Sequence, residues 1–399
     1  MNAPKWILPI IVFSQFCCTS LWFASNGVMG DLVSNFNLDK SALGHLTSAV
    51  QFGFITGTLL FAILTISDRF PPSKVFFISA LAGALCNLGP LLEGNGITSL
   101  LTLRFLTGFF LAGIYPVGMK IAADYYDKSL GRSLGLLVGA LVVGTAFPHL
   151  LNGFTNVIPW VLVLGITSSL AVSGGLLMLI LVPIGPYQKS SQKFDLSTFF
   201  RVFRNRAFRS AAFGYFGHMW ELYAFWAFVP VMLTTYTSIY PQAEFNLPIL
   251  SFSIIGIGGL ACAVSGYISQ SMGTKRTAFV ALLLSCGCCL VSPLFFLVDS
   301  EYVFIGFLIF WGMVVIADSP LFSTLVARKT EAESKGTALT IVNCIGFSIT
   351  IVSIQLLNIL RDTMNPNYMY TVLALGPMLG LLALYQGKEK GNAQLNADS

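Results

Sequence analysis

Six ionisable side chains lie inside long apolar stretches of the sequence. They are Arg104, Lys120, His149, His218, Glu221 and Asp318. A charged side chain at the centre of a bilayer costs about 2.5–3.5 kcal/mol on insertion scales, so each of these residues needs a partner, a wet cavity or a function. All but His149 fall in three of the stretches, and this clustering makes them the first candidates for chemistry.

Arg104 is the strongest single candidate. Its guanidinium is a permanent cation with a forked set of donors, which suits a carboxylate or another oxyanion. On a helix, Gly108, Leu111 and Tyr115 share its face to within about 40°, and the glycine would let a ligand approach. The alternative is that Arg104 pairs with a buried acid or with backbone carbonyls and organises the fold.

Glu221 and His218 favour proton chemistry. A carboxylate removed from water can bind and release a proton near neutral pH, and a histidine one turn earlier could share or relay that proton. An ion pair between Glu221 and Arg104 that closes a cavity is the alternative. The two interpretations are compatible, because protonation would break such a pair.

Asp318 and Lys120 each allow two interpretations. Asp318 precedes Ser319 and Pro320, and the proline frees a backbone carbonyl nearby, so Asp318 could bind a proton or a cation, or form a salt bridge with a base at the cytoplasmic end. Lys120 could pair with Asp124 at position i+4 or extend to lipid headgroups. We interpret Lys120 as part of a gate or an anchor.

Polar and aromatic residues mark further candidate contacts. A polar face of the first apolar stretch should meet protein or water, which helix packing or solute contact would satisfy equally. Its members are Gln15, Thr19, Trp22 and Asn26. Aromatic residues of two later stretches could line a pocket for an organic solute, or serve packing and interfacial belts. They are Trp220, Tyr223, Trp226 and Trp311.

The composition indicates that these residues belong to a membrane protein. Of 399 residues, 55% are apolar and only 10% are charged, and the mean hydropathy is +0.78; soluble proteins are about 25% charged. Continuous apolar runs of about 20 residues predict membrane-spanning helices rather than a barrel. The twelve predicted spans are residues 6–30, 43–66, 74–92, 98–122, 132–153, 159–183, 208–235, 247–270, 276–298, 302–326, 336–358 and 368–386.

Loop charges predict the orientation. Most of the 22 lysines and arginines fall in alternate loops, which places both termini in the cytoplasm by the positive-inside rule. A basic linker at 185–207 would separate two six-helix bundles, 1–184 and 208–387, and 388–399 would be a cytoplasmic tail. Within the linker, residues 196–209 predict either a short amphipathic helix on the lipid surface or a solvated connector.

Several functional classes are excluded by the same patterns. The net charge of +5 is spread over short loops, so no nucleic-acid partner is expected. The eight cysteines lie in apolar runs, so neither a disulfide framework nor a metal site is expected. No nucleotide-binding loop or hydrolase motif occurs, and the loops are too short for a soluble active site. We therefore expect no enzyme activity and no cofactor.

The two halves of the chain repeat each other weakly. Short basic links follow spans 2 and 8, and Gly108 and Pro116 of span 4 correspond to Gly312 and Pro320 of span 10 at a constant offset. Such a repeat is typical of carriers whose two bundles rock about a central site.

These features resemble the major facilitator superfamily over the whole chain. Asp68 and Arg69 match the acidic and basic positions of its loop motif after helix 2, and Arg104 with Gly108 matches its helix 4 motif. The resemblance implies that helices 1, 4, 7 and 10 line the cavity and that the protein is a monomer. The patch from His218 to Tyr223 is similar to one in bacterial members, which favours a bacterial inner membrane. A partial glycine–proline motif in span 5 favours symport over antiport.

We expect a proton-coupled carrier of a small anionic organic solute that works by alternating access. Proton coupling is assigned to Glu221, His218 and Asp318. Solute contacts are assigned to Arg104, Gln15, Trp22, Asn26, Tyr115, Trp220, Tyr223 and Trp311. A cytoplasmic gate is assigned to Asp68, Arg69, Lys120 and Asp124. The alternatives are an exporter of amphipathic or iron-chelating compounds and, from another class, a membrane sensor that transports nothing.

Overall fold

The computed structural model describes residues 4–126, 130–154, 159–187, 197–331 and 335–386. Within these ranges the chain is nearly all helical and contains no strand. The predicted tail 388–399 and the middle of the predicted linker lie outside the described residues. The linker residues that are described include a helix, Ser197–Arg204, which runs almost directly into span 7.

The N-terminal half contains six spans, of which the first and fourth are broken. Span 1 is Ile7–Thr19, Ala24–Gly27 and Met29–Phe36; span 2 is Ala42–Ile63; span 3 is Pro72–Leu88; span 4 is Ile97–Leu111 and Tyr115–Tyr125; span 5 is Leu130–Asn152; span 6 is Trp160–Leu181. One helical turn, Ile66–Arg69, lies between spans 2 and 3.

The C-terminal half also contains six spans, of which the second and fourth are broken. Span 7 is Arg206–Ile239; span 8 is Leu247–Gly256 and Gly258–Met272; span 9 is Thr274–Phe296; span 10 is Glu301–Ala317 and Ser319–Arg328; span 11 is Lys335–Thr363; span 12 is Leu375–Gln386, preceded by a 3₁₀ turn at Met369–Ala374.

The predicted all-helical membrane fold is confirmed. Eleven of the described segments are long and apolar enough to cross a membrane, and the helix Ile7–Thr19 is apolar but shorter. Nothing in the fold reports the side on which the termini lie, so cytoplasmic termini stay a prediction. The domain boundaries at 184, 207 and 387 also stay predictions.

Prolines explain the breaks in spans 4 and 10, which the sequence predicted as single runs. Pro116 and Pro320 each lie in the first turn of the second helix of their span. Proline has no backbone N–H and its ring clashes with the carbonyl four residues earlier, so it is tolerated at a helix start and not in the interior. Asp318 is left at the break of span 10, between its two helices.

Helix packing repeats between the halves. Gly108 of span 4 lies against the backbone carbonyl of Val50 in span 2, so closely that a Cβ there would overlap the oxygen. Gly312 of span 10 lies in the same way against the carbonyl of Ile254 in span 8. Gly312 and Ile254 lie 204 positions after Gly108 and Val50, respectively. The weak sequence repeat therefore reflects a repeat in backbone packing.

The halves meet mainly along two pairs of spans, 2 with 11 and 5 with 8. Gln355 of span 11 donates from Nε2 to Ser48 Oγ in span 2 at 2.8 Å, and Asn358 Nδ2 donates to the Ser41 carbonyl at 3.2 Å. These contacts lie near the start of span 2 and the end of span 11. The largest buried rings, which include Trp22, Trp226 and Trp311, fill the interior.

Candidate functional site

A cluster of aromatic rings lies where the two halves meet. The break in span 1 places Trp22 4.8 Å from Phe54 of span 2, between ring centroids, and Tyr223 of span 7 and Phe347 of span 11 lie 5.8 and 5.7 Å from Trp22. Trp226 packs on Tyr223 at 5.2 Å. All five side chains are at most 3% exposed. We call these five residues the central aromatic cluster.

Arg104 lies directly behind this cluster. Its guanidinium donates to the backbone carbonyl of Leu21 at 3.2 Å and to that of Trp22. Both carbonyls belong to the turn that breaks span 1, where helix-end carbonyls lack their usual partners. The arginine therefore holds the break that presents Trp22, which agrees with one of the two roles predicted for it.

The charge of Arg104 has no counter-ion in the described part of the chain. The residue is 2% exposed, no described carboxylate lies within 4 Å of it, and its Nε atom has no hydrogen-bond partner there. The predicted ion pair with Glu221 is not formed. A buried cation that contacts only neutral groups is costly, and an anion bound beside it would reduce that cost.

Glu221 is bound inside the C-terminal half. It is fully buried and accepts hydrogen bonds from Trp311 Nε1 at 2.6 Å and from Ser285 Oγ at 2.9 Å. These donors come from spans 10 and 9, and both are neutral. Trp311 is thus a partner of the carboxylate, whereas the sequence assigned it to solute contact.

His218 pairs with Asp318 rather than with Glu221. Its Nδ1 lies 2.7 Å from Asp318 Oδ1, and the two side chains are 1% and 0% exposed. Positions 218 and 221 are three apart on span 7, so they point about 60° apart around the helix and meet different neighbours. The partner of Asp318 is this histidine, which the sequence assigned with it to proton coupling, and the pair links span 7 to the break in span 10.

The residues predicted to form a gate do not all come together. Lys120 donates to the Asp68 carboxylate and, at 2.7 Å, to the Ser67 carbonyl. Its predicted neighbour Asp124 is buried, and its backbone carbonyl accepts from the Tyr187 N–H at 3.0 Å. Arg69 is exposed and bonds only locally, from Nε to Thr65 Oγ1. The contact between Lys120 and Asp68 ties span 4 to the turn after span 2 within one half.

The residues predicted to contact the solute do not all lie in one place. Trp22 and Tyr223 meet in the central aromatic cluster, and Asn26 of span 1 donates to Thr47 Oγ1 of span 2 at 2.8 Å. Trp220 points elsewhere and donates to the Val372 carbonyl before span 12 at 3.3 Å. Among the others, Tyr115 begins the second helix of span 4, and Gln15 lies against Gly118 of that helix.

Sequence reasoning missed Gln51. This side chain of span 2 is fully buried, and neither atom of its amide has a partner among the described residues. Thr47, Gln51 and Thr58 recur at positions i, i+4 and i+11, which puts them on one face of an otherwise apolar helix. That stripe is the signal that could have revealed Gln51. Phe54 and Phe347 carry no comparable signal, because phenylalanine is common in apolar spans.

Comparison with known proteins defines the class and then the family. The family model of the Major Facilitator Superfamily matches residues 11–354. The chain is therefore a multi-span membrane transporter and not an enzyme. It belongs to the Major Facilitator Superfamily.

Individual relatives match only part of the chain. A niacin transporter of Acinetobacter baylyi is 32% identical over 36% of this chain and 36% of its own length. A 4-hydroxybenzoate transporter of Pseudomonas aeruginosa is 27% identical over 45% of this chain and 39% of its own. An efflux pump of Fusarium oxysporum is 29% identical over 38% and 25%, respectively. The chain thus spans a quarter to two fifths of these relatives.

A solved structure matches over almost the full length. It is a bacterial homolog of the human lysosomal transporter Spinster, in an inward-facing and unoccupied conformation. The TM-score is 0.67, the sequence identity is 14%, and the match covers 96% of both chains. At this identity the likeness establishes the fold alone.

Proposed function

We propose that this transporter carries a small organic anion together with a proton by alternating access. The observation that carries the proposal is the separation of buried charge. Arg104 lies in the N-terminal half without an acid, while Glu221 and the pair of His218 and Asp318 lie in the C-terminal half. A cation without a counter-ion favours an anionic solute, and buried acids without lysine or arginine partners favour proton binding.

The anion site is assigned to the region between Arg104 and the central aromatic cluster. A carboxylate there would compensate the buried guanidinium, whose Nε is free to donate. Relatives named for niacin, 4-hydroxybenzoate and, in Escherichia coli, galactarate and glucarate support a carboxylate as cargo.

The proton site is assigned to Glu221, with His218 and Asp318 beside it. A carboxylate held by a tryptophan and a serine can exchange one proton without breaking an ion pair. Trp311 and Ser285 lie on spans 10 and 9, so a change of charge on Glu221 alters the contacts between three spans. Protonation can therefore bias the helix packing of the C-terminal half, as coupling requires.

Uptake into proteoliposomes tests the proposal. Purified protein is reconstituted at internal pH 7.5, and entry of labelled nicotinate, 4-hydroxybenzoate and glucarate is measured at external pH 5.5, 6.5 and 7.5, with protein-free liposomes subtracted. One pH unit is worth about 1.4 kcal/mol, so one proton per solute sustains about tenfold accumulation of a transported acid per unit of gradient.

Glu221→Gln should abolish this gradient-driven accumulation and retain exchange of labelled for unlabelled solute. Glu93→Gln, the same change at an exposed loop residue, is the matched control and should behave as the unmodified protein. Uptake that is flat between pH 5.5 and 7.5 and unchanged in Glu221→Gln would refute proton coupling.

Export is the second candidate function, favoured by the similarity to fungal efflux pumps. Vesicles loaded with labelled solute distinguish the two directions. An exporter driven by antiport loses solute faster when the outside is acidic, whereas a symporter loses it more slowly. The bacterial inner-membrane location and the monomeric state stay predictions.

A further inference from the structure

The central aromatic cluster has two faces that belong to different halves of the protein. Trp22 comes from span 1, whereas Tyr223 and Phe347 come from spans 7 and 11. The Trp22 ring plane lies within 25° of the Phe347 plane and within 29° of the Tyr223 plane. Rings from opposite halves are thus stacked, with their planes inclined by 25–29°, across the interface at which an alternating-access carrier must open.

Polar groups in this region lack partners. The indole N–H groups of Trp22 and Trp226 and both amide atoms of Gln51 are fully buried without a hydrogen bond to any described residue. Gln51 lies three residues before Phe54 of the cluster and so shares its helix face. A buried donor without an acceptor costs about 1–3 kcal/mol, so several together indicate a missing acceptor-rich partner.

We propose that the central aromatic cluster is the binding site for the ring of a planar aromatic carboxylate, with its carboxylate beside Arg104. This inference rests on the proposed function and names its substrate class. Arg104 donates to the backbone carbonyl of Trp22, which places the cation beside the main chain of one member of the cluster. The unpartnered donors of Trp22, Trp226 and Gln51 would bind oxygen or nitrogen substituents of the ring.

The geometry explains how such a solute couples to opening. A ring between two aromatic faces needs about 7 Å between them, which is two van der Waals layers. The centroids of Trp22 and Phe347 are 5.7 Å apart, so no third ring fits between these rings as they lie, and admitting one requires the halves to separate by about one ring thickness, roughly 3.5 Å. The bound ring then restores the contact that opening breaks. A saturated ring is thicker and not planar, and fits this space less well.

Binding to the purified full-length protein in detergent micelles tests the inference. Benzoate, cyclohexanecarboxylate and benzamide are titrated calorimetrically at pH 6.5. The first two probes share the carboxylate and the six-membered ring and differ in planarity, while the third is planar and uncharged. We expect benzoate to bind about tenfold more tightly than cyclohexanecarboxylate, as two stacking contacts predict.

Substitutions in the central aromatic cluster test whether these residues cause the preference for benzoate over cyclohexanecarboxylate. Phe347→Leu should reduce it to less than about threefold, and Tyr223→Leu should act in the same direction. Phe52→Leu is the matched control, because Phe52 is 57% exposed on the outside of span 2, two residues before Phe54. Melting temperatures establish that each variant is folded, and two cluster positions keep the test decisive if one variant does not fold.

The outcomes separate this inference from the proposed function. Equal affinity for both acids overturns the aromatic site and leaves an anion carrier standing, and an equal loss in Phe52→Leu and Phe347→Leu also overturns it. Benzamide binding as tightly as benzoate overturns the carboxylate and the anion carrier with it. Binding of neither acid overturns both.

Discussion

Replacing Gly312 by alanine is the sharpest test of how spans 8 and 10 pack. The added Cβ would overlap the carbonyl oxygen of Ile254, with the carbonyl carbon at 3.0 Å and Ile254 Cγ2 at 3.3 Å. The obstacle is helix backbone, which cannot rotate away as a side chain can. The two spans must therefore separate, at a cost of about 1–3 kcal/mol for an overpacked site.

Gly306→Ala is the internal control on the same helix. Gly306 is exposed, and a Cβ there meets no described atom within 4 Å. Both variants gain the same helix propensity, roughly 0.5–1 kcal/mol, when glycine becomes alanine. The propensity gain cancels in the comparison, so the two variants should differ in stability by the overpacking cost alone.

Unfolding in mixed detergent micelles, followed by far-UV circular dichroism, measures this difference. The structural repeat adds a second comparison, because Gly108→Ala meets the carbonyl of Val50 in the same way, whereas Gly165→Ala meets no described atom within 4 Å. We expect the two pairs of variants to show differences of similar size. If Gly312→Ala is as stable as Gly306→Ala, backbone contact between spans 8 and 10 is refuted.

Two further substitutions test a polar contact and the ion pair. Asn87 donates to Thr167 Oγ1 at 3.1 Å and Ser168 Oγ at 3.0 Å, joining spans 3 and 6, so Asn87→Leu should lower stability by about 0.6–1.7 kcal/mol in the same unfolding assay. No loss would contradict a contribution from this contact. Lys120→Met leaves Asp68 without its cation and should slow initial uptake, and adding Asp68→Asn should recover about fivefold, the effect of a coupling near 1 kcal/mol. A double variant as slow as Lys120→Met would show that the pair does not act as a unit.

Much of the fold could be predicted, because hydrophobic length is a strong signal in a membrane protein. Every predicted span corresponds to one, two or, for span 1, three helices, and the boundaries differ mainly at the ends. The breaks were harder to predict. Pro116 and Pro320 lie just after two of the breaks, but the turn between Thr19 and Ala24 in span 1 contains neither proline nor glycine. Arg104 donates to the carbonyls of Leu21 and Trp22 in this turn, a long-range contact that local sequence does not encode.

The sequence was enough to predict which residues belong to the candidate site, but not which of them contact each other. Rarity in an apolar background was enough to single out Arg104, Glu221, His218 and Asp318. The partners depended on rotation about helix axes and on which spans are neighbours. A 60° difference on span 7 therefore directs His218 to Asp318 and leaves Glu221 to two neutral donors. Neutral donors such as Trp311 give no warning in the sequence, because tryptophan is equally expected in packing.

Backbone packing follows the internal repeat, whereas buried charge does not. At the offset of 204 that relates Gly108 to Gly312, Arg104 corresponds to Leu308 and Asp318 corresponds to Ile114. Two halves with the same packing can exchange their roles, so that one movement opens either side of the membrane. In the proposed mechanism, the different charges of the two halves drive that movement, because an anion bound beside Arg104 and a proton bound at Glu221 would act on opposite sides of the same interface. Under this proposal the repeat accounts for alternating access, and the departure from the repeat accounts for coupling.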